Sequence, residues 1–425
     1  SQFLRTMQFF AWLLFFFLFY QFPDQILSDS GCFDAQQEAI EHHLATKTPY
    51  RVVANKNDEK IEYFGCTPIR FWGIFRHGTR NPSKKQIHRM RTTLTEYRDV
   101  ILEKGDFCDA DKERFRAWDV EVQANEDKFL VPEGELELTE LAERIQRRFP
   151  DLLFDQYDNQ TYKFKYTATQ RAKKSAESFA TGLFGRHNIR QVWYPPAEHK
   201  DPILRFYKGC PRWKMEVDKN PDSMEQVRLF MASSHFTDVL DGVRHRTGIM
   251  DLSSDDLHLM YTTCAFETAW DRYQISPWCS IFTRESIKVM EFLEDLEYYW
   301  IDGFGYELTY RQACPAARNM FEHLNPASLH PNITLYFTHS GTLLKYLAFL
   351  NLYRGQEPLV HTSFGTNHPW RPSLIDAFGS NIYFVTFSCS DGPKVLAMHQ
   401  ERVVTIPGCP AALCDFAEFQ QIFQE

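Results

Sequence analysis

The chain has 425 residues, 44% of them hydrophobic and 24% charged; that length provides for two or three domains, or one large domain with an insert, and that balance excludes a disordered chain. A net charge of −9 excludes a general nucleic-acid-binding surface, so any anion site has to be a local concentration of cations working against the overall field.

The amino end carries Arg5 and then an uncharged run from Phe9 to Phe22, closed by Pro23. Such a run is short for a bilayer span and suits the core of a secretory signal. Residues 1–30 are therefore read as a signal peptide, with a retained short membrane anchor as the alternative, and the rest as secreted or extracellular. Ten cysteines fit that compartment and predict disulfides. Cys264 with Cys279 and Cys409 with Cys414 are spaced to close short loops. No Cys/His grouping has zinc spacing, so no metal and no cofactor is expected. Asn159-Gln-Thr and Asn332-Ile-Thr are acceptor sequons for glycosylation.

Three segments share one grammar, in which an apolar or alternating run meets a basic corner and then a helical pattern. The first is IRFWGIF into RHGTRNP (76–82). The second is YKFKYTATQ (162–170) into Arg171 and the helical AKKSAESFATGLF. The third is TLYFT (334–338) into His339 and TLLKYLAFLNL. Between the first two, LTELAERIQRRFPDLL (138–153) predicts an amphipathic helix stopped by Pro150. After 355 the pattern returns to sheet, with NIYFVTFSC (381–389) as a strand. Strands followed by helices predict an α/β domain, here in two parts, 31–209 and 321–425, with the three basic corners on one rim at the strands' carboxyl ends. The stretch 210–320 is different. MEQVRLFMASSHFTDVLDGVRHRTG (224–248) and TRESIKVMEFLEDLEYYWI (283–301) have helical spacing, which predicts a smaller inserted, mostly α-helical domain.

Burying Arg76 and Arg80 is costly unless anions complete them, and phosphate suits the planar guanidinium fork. With Arg171 they would surround one phosphoryl group and spread its developing charge. His77, between two arginines, would be kept neutral and present a ring nitrogen to phosphorus as nucleophile. Directly after the motif, SKKQIHRMR supplies Lys84, Lys85, Arg89 and Arg91 as a second ring of cations for a ligand with several phosphates. Thr79, Lys84 and Lys85 are the expected substrate-binding residues.

RHGTRNP resembles the signature of the histidine acid phosphatases. RFWGIFRHGTRNP, ILRFYKGCPRW, SPWCSIFTRESIKVMEFLEDLEYYWIDGFGYELTYRQACP and FGSNIYFVTFSC resemble its multiple inositol polyphosphate phosphatase branch, from about residue 60 to the carboxyl end. The resemblance implies a large α/β domain with a smaller α-helical one, and metal-free removal of phosphates from inositol polyphosphates such as phytate. It implies His77 as nucleophile and Arg76, Arg80, Arg171 and His339 as phosphate ligands. It also implies a Cys66–Cys389 disulfide.

One position departs from the family pattern. The branch has His-Ala-Glu after its second histidine strand, the carboxylic acid protonating the departing alkoxide; here the residues are His339, Ser340 and Gly341. A positioned acid typically contributes a hundredfold or more in rate. Two expectations follow: a phosphatase that is slow, or one whose acid comes from elsewhere, Asp391 being one such acid; and a pseudophosphatase that binds inositol polyphosphates or another phosphorylated small molecule without turnover.

Overall fold

The computed structural model describes Cys32 and residues 40–424; the apolar amino-terminal run lies outside the described residues. Seven strands form one mixed sheet in the order β2-β3-β1-β4-β5-β6, with β7 also pairing β5. They are β1 (Cys66–Arg76), β2 (Tyr162–Tyr166), β3 (Ile333–Thr338), β4 (Asn381–Cys389), β5 (Gly392–His399), β6 (Arg402–Val404) and β7 (Leu413–Asp415). β1 and β2 both run parallel to β3, whereas β4 is antiparallel to β1. Arg76 pairs with Thr338 and Tyr166 with Phe337, so all three basic corners leave the sheet on one rim, as the sequence pattern predicts.

β1 is buried on both sides, which is why its sequence reads as a continuous aromatic and aliphatic run. Phe71 and Phe75 face a core formed with α4 (Pro132–Arg148) and α5 (Gln170–Asn188). Trp72 and Ile74 face the opposite core, formed with α9 (Cys314–Leu324) and α10 (Ser340–Phe349). Helices therefore cover both faces of the sheet.

Between residues 201 and 324 there is no strand among the described residues. The main helices there are α6 (Ser234–Thr247), α7 (Ser254–Trp270) and α8 (Arg284–Asp302). This helical region also recruits α1 (Lys84–Arg89), α2 (Thr95–Lys104) and α3 (Asp109–Ala117). Arg89 pairs with Asp256 and Tyr97 donates to the same carboxylate, so segments far apart in sequence share one core.

Helix ends differ from the sequence reading for local reasons. α4 begins at Pro132, a favoured first helical residue followed by Glu133 and Glu135, and ends at Arg148, because Phe149 precedes a proline and leaves helical geometry. The 224–248 segment is two helices, Glu225–Met231 and Ser234–Thr247, separated where Ser233 turns its hydroxyl back onto the Phe230 carbonyl.

Cys66 and Cys389 face each other in the β1–β4 register and are bridged, at the end of the sheet away from the basic rim. Cys264–Cys279 and Cys409–Cys414 are also bridged. A fourth bridge, Cys32–Cys108, was not expected, and Cys210 and Cys314 are free. Asn159 and Asn332 are exposed just ahead of β2 and β3, again opposite the basic rim.

Candidate active site

The site sits where β1 ends between the parallel β3 and the antiparallel β4, the point at which ligands of such sheets bind. The chain leaves the strand as Arg76-His77-Gly78-Thr79-Arg80 and is clamped at every step. The His77 N–H donates to the Thr338 carbonyl (3.0 Å), and its carbonyl accepts from the Gly379 N–H (3.1 Å). A Cβ on Gly78 would stand 2.4 Å from the Gly134 carbonyl oxygen, so only glycine lets the loop lie on the first turn of α4. Thr79 is fully buried, and its N–H (2.7 Å) and hydroxyl (2.9 Å) both donate to Glu137. Thr79 thus holds the loop against α4 through Glu137. Burial pushes the Glu137 carboxyl up to about 7.

His77 and His339 stand edge to face, with ring centroids 5.4 Å apart. The His77 Nδ1–H donates to the Gly78 carbonyl (2.9 Å), which leaves Nε2 with its lone pair. Burial and the charges of Arg171 and Arg76 hold this imidazole well below its ordinary range, which favours its neutral form. His339 caps α10. Its Nδ1 accepts from Arg171 (3.3 Å) and its Nε2–H donates to the Thr167 hydroxyl (2.9 Å). Burial, with Arg171 and Arg205, depresses it likewise.

Around these rings the guanidinium groups crowd one another. Arg76 lies over Phe378 and Arg80 over Phe266, two rings of a small apolar cluster beside the site. Burial and mutual repulsion lower Arg80 to about 9 and Arg171 to about 10, so both stay charged near neutrality. Arg205, just before the Phe206–Gly209 turn, is the neighbour that acts most strongly on Arg171 and also depresses His339. Sequence reasoning did not single it out, because it follows no strand. The Nε atoms of Arg76, Arg171 and Arg205 are buried without a hydrogen-bond partner. Among the described residues, Arg80, Arg171 and Arg205 have no carboxylate at ion-pair distance. Arg76, Arg80 and Arg171 thus act on His77 and Arg205 on His339 and Arg171, a group of cations with spare donors suited to an oxyanion.

The outer cations divide. Lys84 and Lys85 are exposed on the first turn of α1, whose Ser83 cap follows the motif directly. Arg89 is neutralised by Asp256 (2.5 Å), and Arg91 donates to the carbonyls of Val120 and Val122.

One carboxyl group lies by Gly341 and another by Ser340, and neither is Asp391. That residue occupies the β4–β5 turn at the Cys66–Cys389 end of the sheet, where it pairs with Lys394 (3.0 Å), so it cannot stand in for the missing acid. Asp302, the last residue of α8, approaches Gly341 and is ion-paired with the buried Lys345. Asp376 is wholly buried; its Oδ2 accepts from the Ser340 hydroxyl and lies 3.5 Å from Arg76.

Comparison with known proteins agrees with this fold. The family described as Histidine phosphatase superfamily (branch 2) matches residues 72–403. Multiple inositol polyphosphate phosphatase 1 of Drosophila melanogaster is 30% identical over 92% of this chain and 87% of its own length. The protein of that name from Homo sapiens is 26% identical over 84% of this chain and 80% of its own. Among solved structures, the phytase from D. castellii superposes with a TM-score of 0.74 at 17% identity, covering 90% of this chain and 84% of that one. The Bifidobacterium longum multiple inositol polyphosphate phosphatase complexed with inositol hexasulfate does so at 0.63 and 17%, covering 89% and 97%.

Proposed function

We propose, from the premise that this chain belongs to the histidine phosphatase superfamily (branch 2), that it removes phosphate groups from inositol polyphosphates through a phosphohistidine intermediate on His77. The observation that carries the reading is the free Nε2 of a neutral His77 among four guanidinium groups, three of whose buried Nε donors lack partners. A phosphoryl group seated there has its oxygens held by Arg76, Arg80, Arg171 and Arg205. The His77 Nε2 attacks phosphorus, the ester P–O bond breaks, and water then cleaves the P–N bond and returns the imidazole to its neutral form. The arginines lower the barrier by holding charge already in place for the transition state.

A substrate with several phosphates is supported by the exposed Lys84 and Lys85 at the mouth of the loop, and by inositol polyphosphates being what the named relatives act on. Operation in the secretory pathway is supported by four disulfides, which persist in oxidising compartments. Gly341 favours the second reading, a pseudophosphatase that binds such ligands without turnover, because no side chain there can carry the family's acid.

Phosphate release from phytate, with wild type and His77→Ala compared from mildly acidic to neutral pH, separates the two readings. Catalysis predicts release that vanishes in the variant and a phosphoryl label on His77 after a rapid alkaline quench. Binding of phytate by a folded wild type, with neither label nor release, establishes the pseudophosphatase.

A further inference from the structure

The proposed chemistry leaves one requirement unmet: the departing ring oxygen of an inositol phosphate is an alkoxide and needs a proton. The first residue of α10 after His339 is Ser340, half-buried, and its hydroxyl donates to Asp376 Oδ2. Asp376 is a buried carboxyl group with no other assigned task. Its Oδ1 has no hydrogen-bond partner, and its nearest cation is the phosphate-binding Arg76.

We propose that Ser340 and Asp376 together replace the acid missing at Gly341, Ser340 as the catalytic group that meets the leaving oxygen and Asp376 as the proton reservoir behind it. The inference rests on the phosphohistidine reading.

As His77 Nε2 bonds to phosphorus, the P–O bond to the ring carbon's oxygen breaks and its electron pair leaves with that oxygen. With Asp376 protonated on Oδ2 the polarity of its bond to Ser340 reverses, so that Oδ2–H donates to Ser340 Oγ and the serine hydroxyl is free to face the leaving oxygen. That oxygen takes the Ser340 hydroxyl proton, and Asp376 passes the Oδ2 proton to Ser340 Oγ. The net change is an alcohol released and a carboxylic acid become carboxylate, facing the Arg76 guanidinium. In the second half a water takes the alcohol's place. Its proton goes to Ser340 Oγ and the serine proton to Asp376. The hydroxide oxygen bonds to phosphorus, and the P–N pair returns to His77.

Three features support the assignment. A serine hydroxyl alone is too weak an acid, but in a concerted relay it never carries a full negative charge. Burial raises the Asp376 carboxyl to about 7, so it holds a proton in mild acid. Asp302, the acid by Gly341, is committed to its ion pair with Lys345.

The test compares wild type, Asp376→Asn and Ser340→Ala on inositol hexakisphosphate and on p-nitrophenyl phosphate, whose leaving group departs without a proton. The readout is the ratio of the two kcat/KM values, which report steps up to the first bond cleavage. The relay predicts that this ratio falls about a hundredfold or more in both variants, with inhibition by inorganic phosphate preserved. A ratio that stays constant overturns it, as does an equal loss on both esters accompanied by lost phosphate inhibition, which would reduce Asp376 to a prop for Arg76. If Asp376→Asn fails to fold, Ser340→Ala decides alone. A wild type labelled on His77 by the aryl ester but inert toward the inositol ester defeats the relay only. Absence of label from the aryl ester defeats the phosphohistidine reading instead.

Discussion

Asp302 Oδ1 lies 3.2 Å from the point where a Cβ on Gly341 would stand, and the buried Lys345 Nζ lies 3.7 Å from it. The space in which the family's acid would begin is thus bordered by an ion pair drawn from two elements: Asp302 ends α8, and Lys345 is one turn further along α10. Breaking such a pair leaves a charge buried and alone, so the pair and the glycine go together.

Restoring the family's acid by Gly341→Glu alone should therefore bring no gain in kcat/KM on phytate. The side chain overpacks the contact and sets a second carboxylate beside Asp302, costing about 1–3 kcal/mol, visible as a lowered melting temperature. Adding Asp302→Asn should recover stability, with the introduced carboxylate as the new partner of Lys345. Thermal unfolding and initial rates of the single and double variants check this; a faster and equally stable single variant would refute it.

Arg205 should behave as a phosphate ligand. A hydrogen bond to a charged group contributes about 1.5–3 kcal/mol, so Arg205→Ala should weaken inhibition by inorganic phosphate by about tenfold to a hundredfold. The same change removes a charge that depresses His339 and Arg171, so the His339 pKa should rise, as read by NMR titration. Unaltered phosphate inhibition would place Arg205 outside the cradle.

The contrast between the elements legible in the sequence and the residues that were not is physical. Aromatic runs ending in a basic corner exposed β1 and β3, because a strand buried on both faces has no polar alternation to blur its ends. The β1–β3 and β2–β3 parallel registers then bring Arg76, Arg171 and His339 to one rim without further information. Asp376 carries no such signal. It lies in SLIDAF, an apolar stretch where an acid looks like a turn residue, and it matters only because the chain folds it against Ser340 and Arg76. Arg205 and the Cys32–Cys108 bridge are similar cases: both depend on how loops distant in sequence are packed, which spacing does not encode. Arg89 looked like a member of the outer cation ring until the fold supplied Asp256 as its partner.

Lys84 and Lys85 are exposed on the first turn after the motif, and no carboxylate among the described residues pairs with them, so under the proposed function they would form an outer ring of cations. An exposed charge pair contributes about 0.2–1 kcal/mol. Lys84→Ala and Lys85→Ala should therefore each raise KM for inositol hexakisphosphate by a small factor, more than for a monophosphate ester. The difference should shrink as salt screens it. Measuring KM for both substrates at low and high ionic strength decides the point, and a shift that persists at high salt would mean that the lysines act through structure.

Stability should peak in mild acid. Burial pushes Glu137, Glu267, Asp295 and Asp376 up to about 7, so each binds its proton more tightly folded than unfolded. The stabilisation they provide is complete below their ordinary values near 4 and is lost as pH rises through about 7. The buried histidines work the other way. Burial lowers His323 to about 4 and His399 to about 3, and it holds His77 and His339 well below their ordinary range. These four are neutral when folded but take up protons when unfolded below about 6.5, so stability is lost as pH falls from there toward their folded values. Between about pH 5 and 6.5 the two sets oppose each other, which predicts a plateau there with decline on both sides. Melting temperatures across the acid to mildly alkaline range test this directly. A melting temperature that keeps rising through pH 8 would mean that these four buried carboxyl groups are ionised in the folded protein, and Asp376 would then have no proton to give.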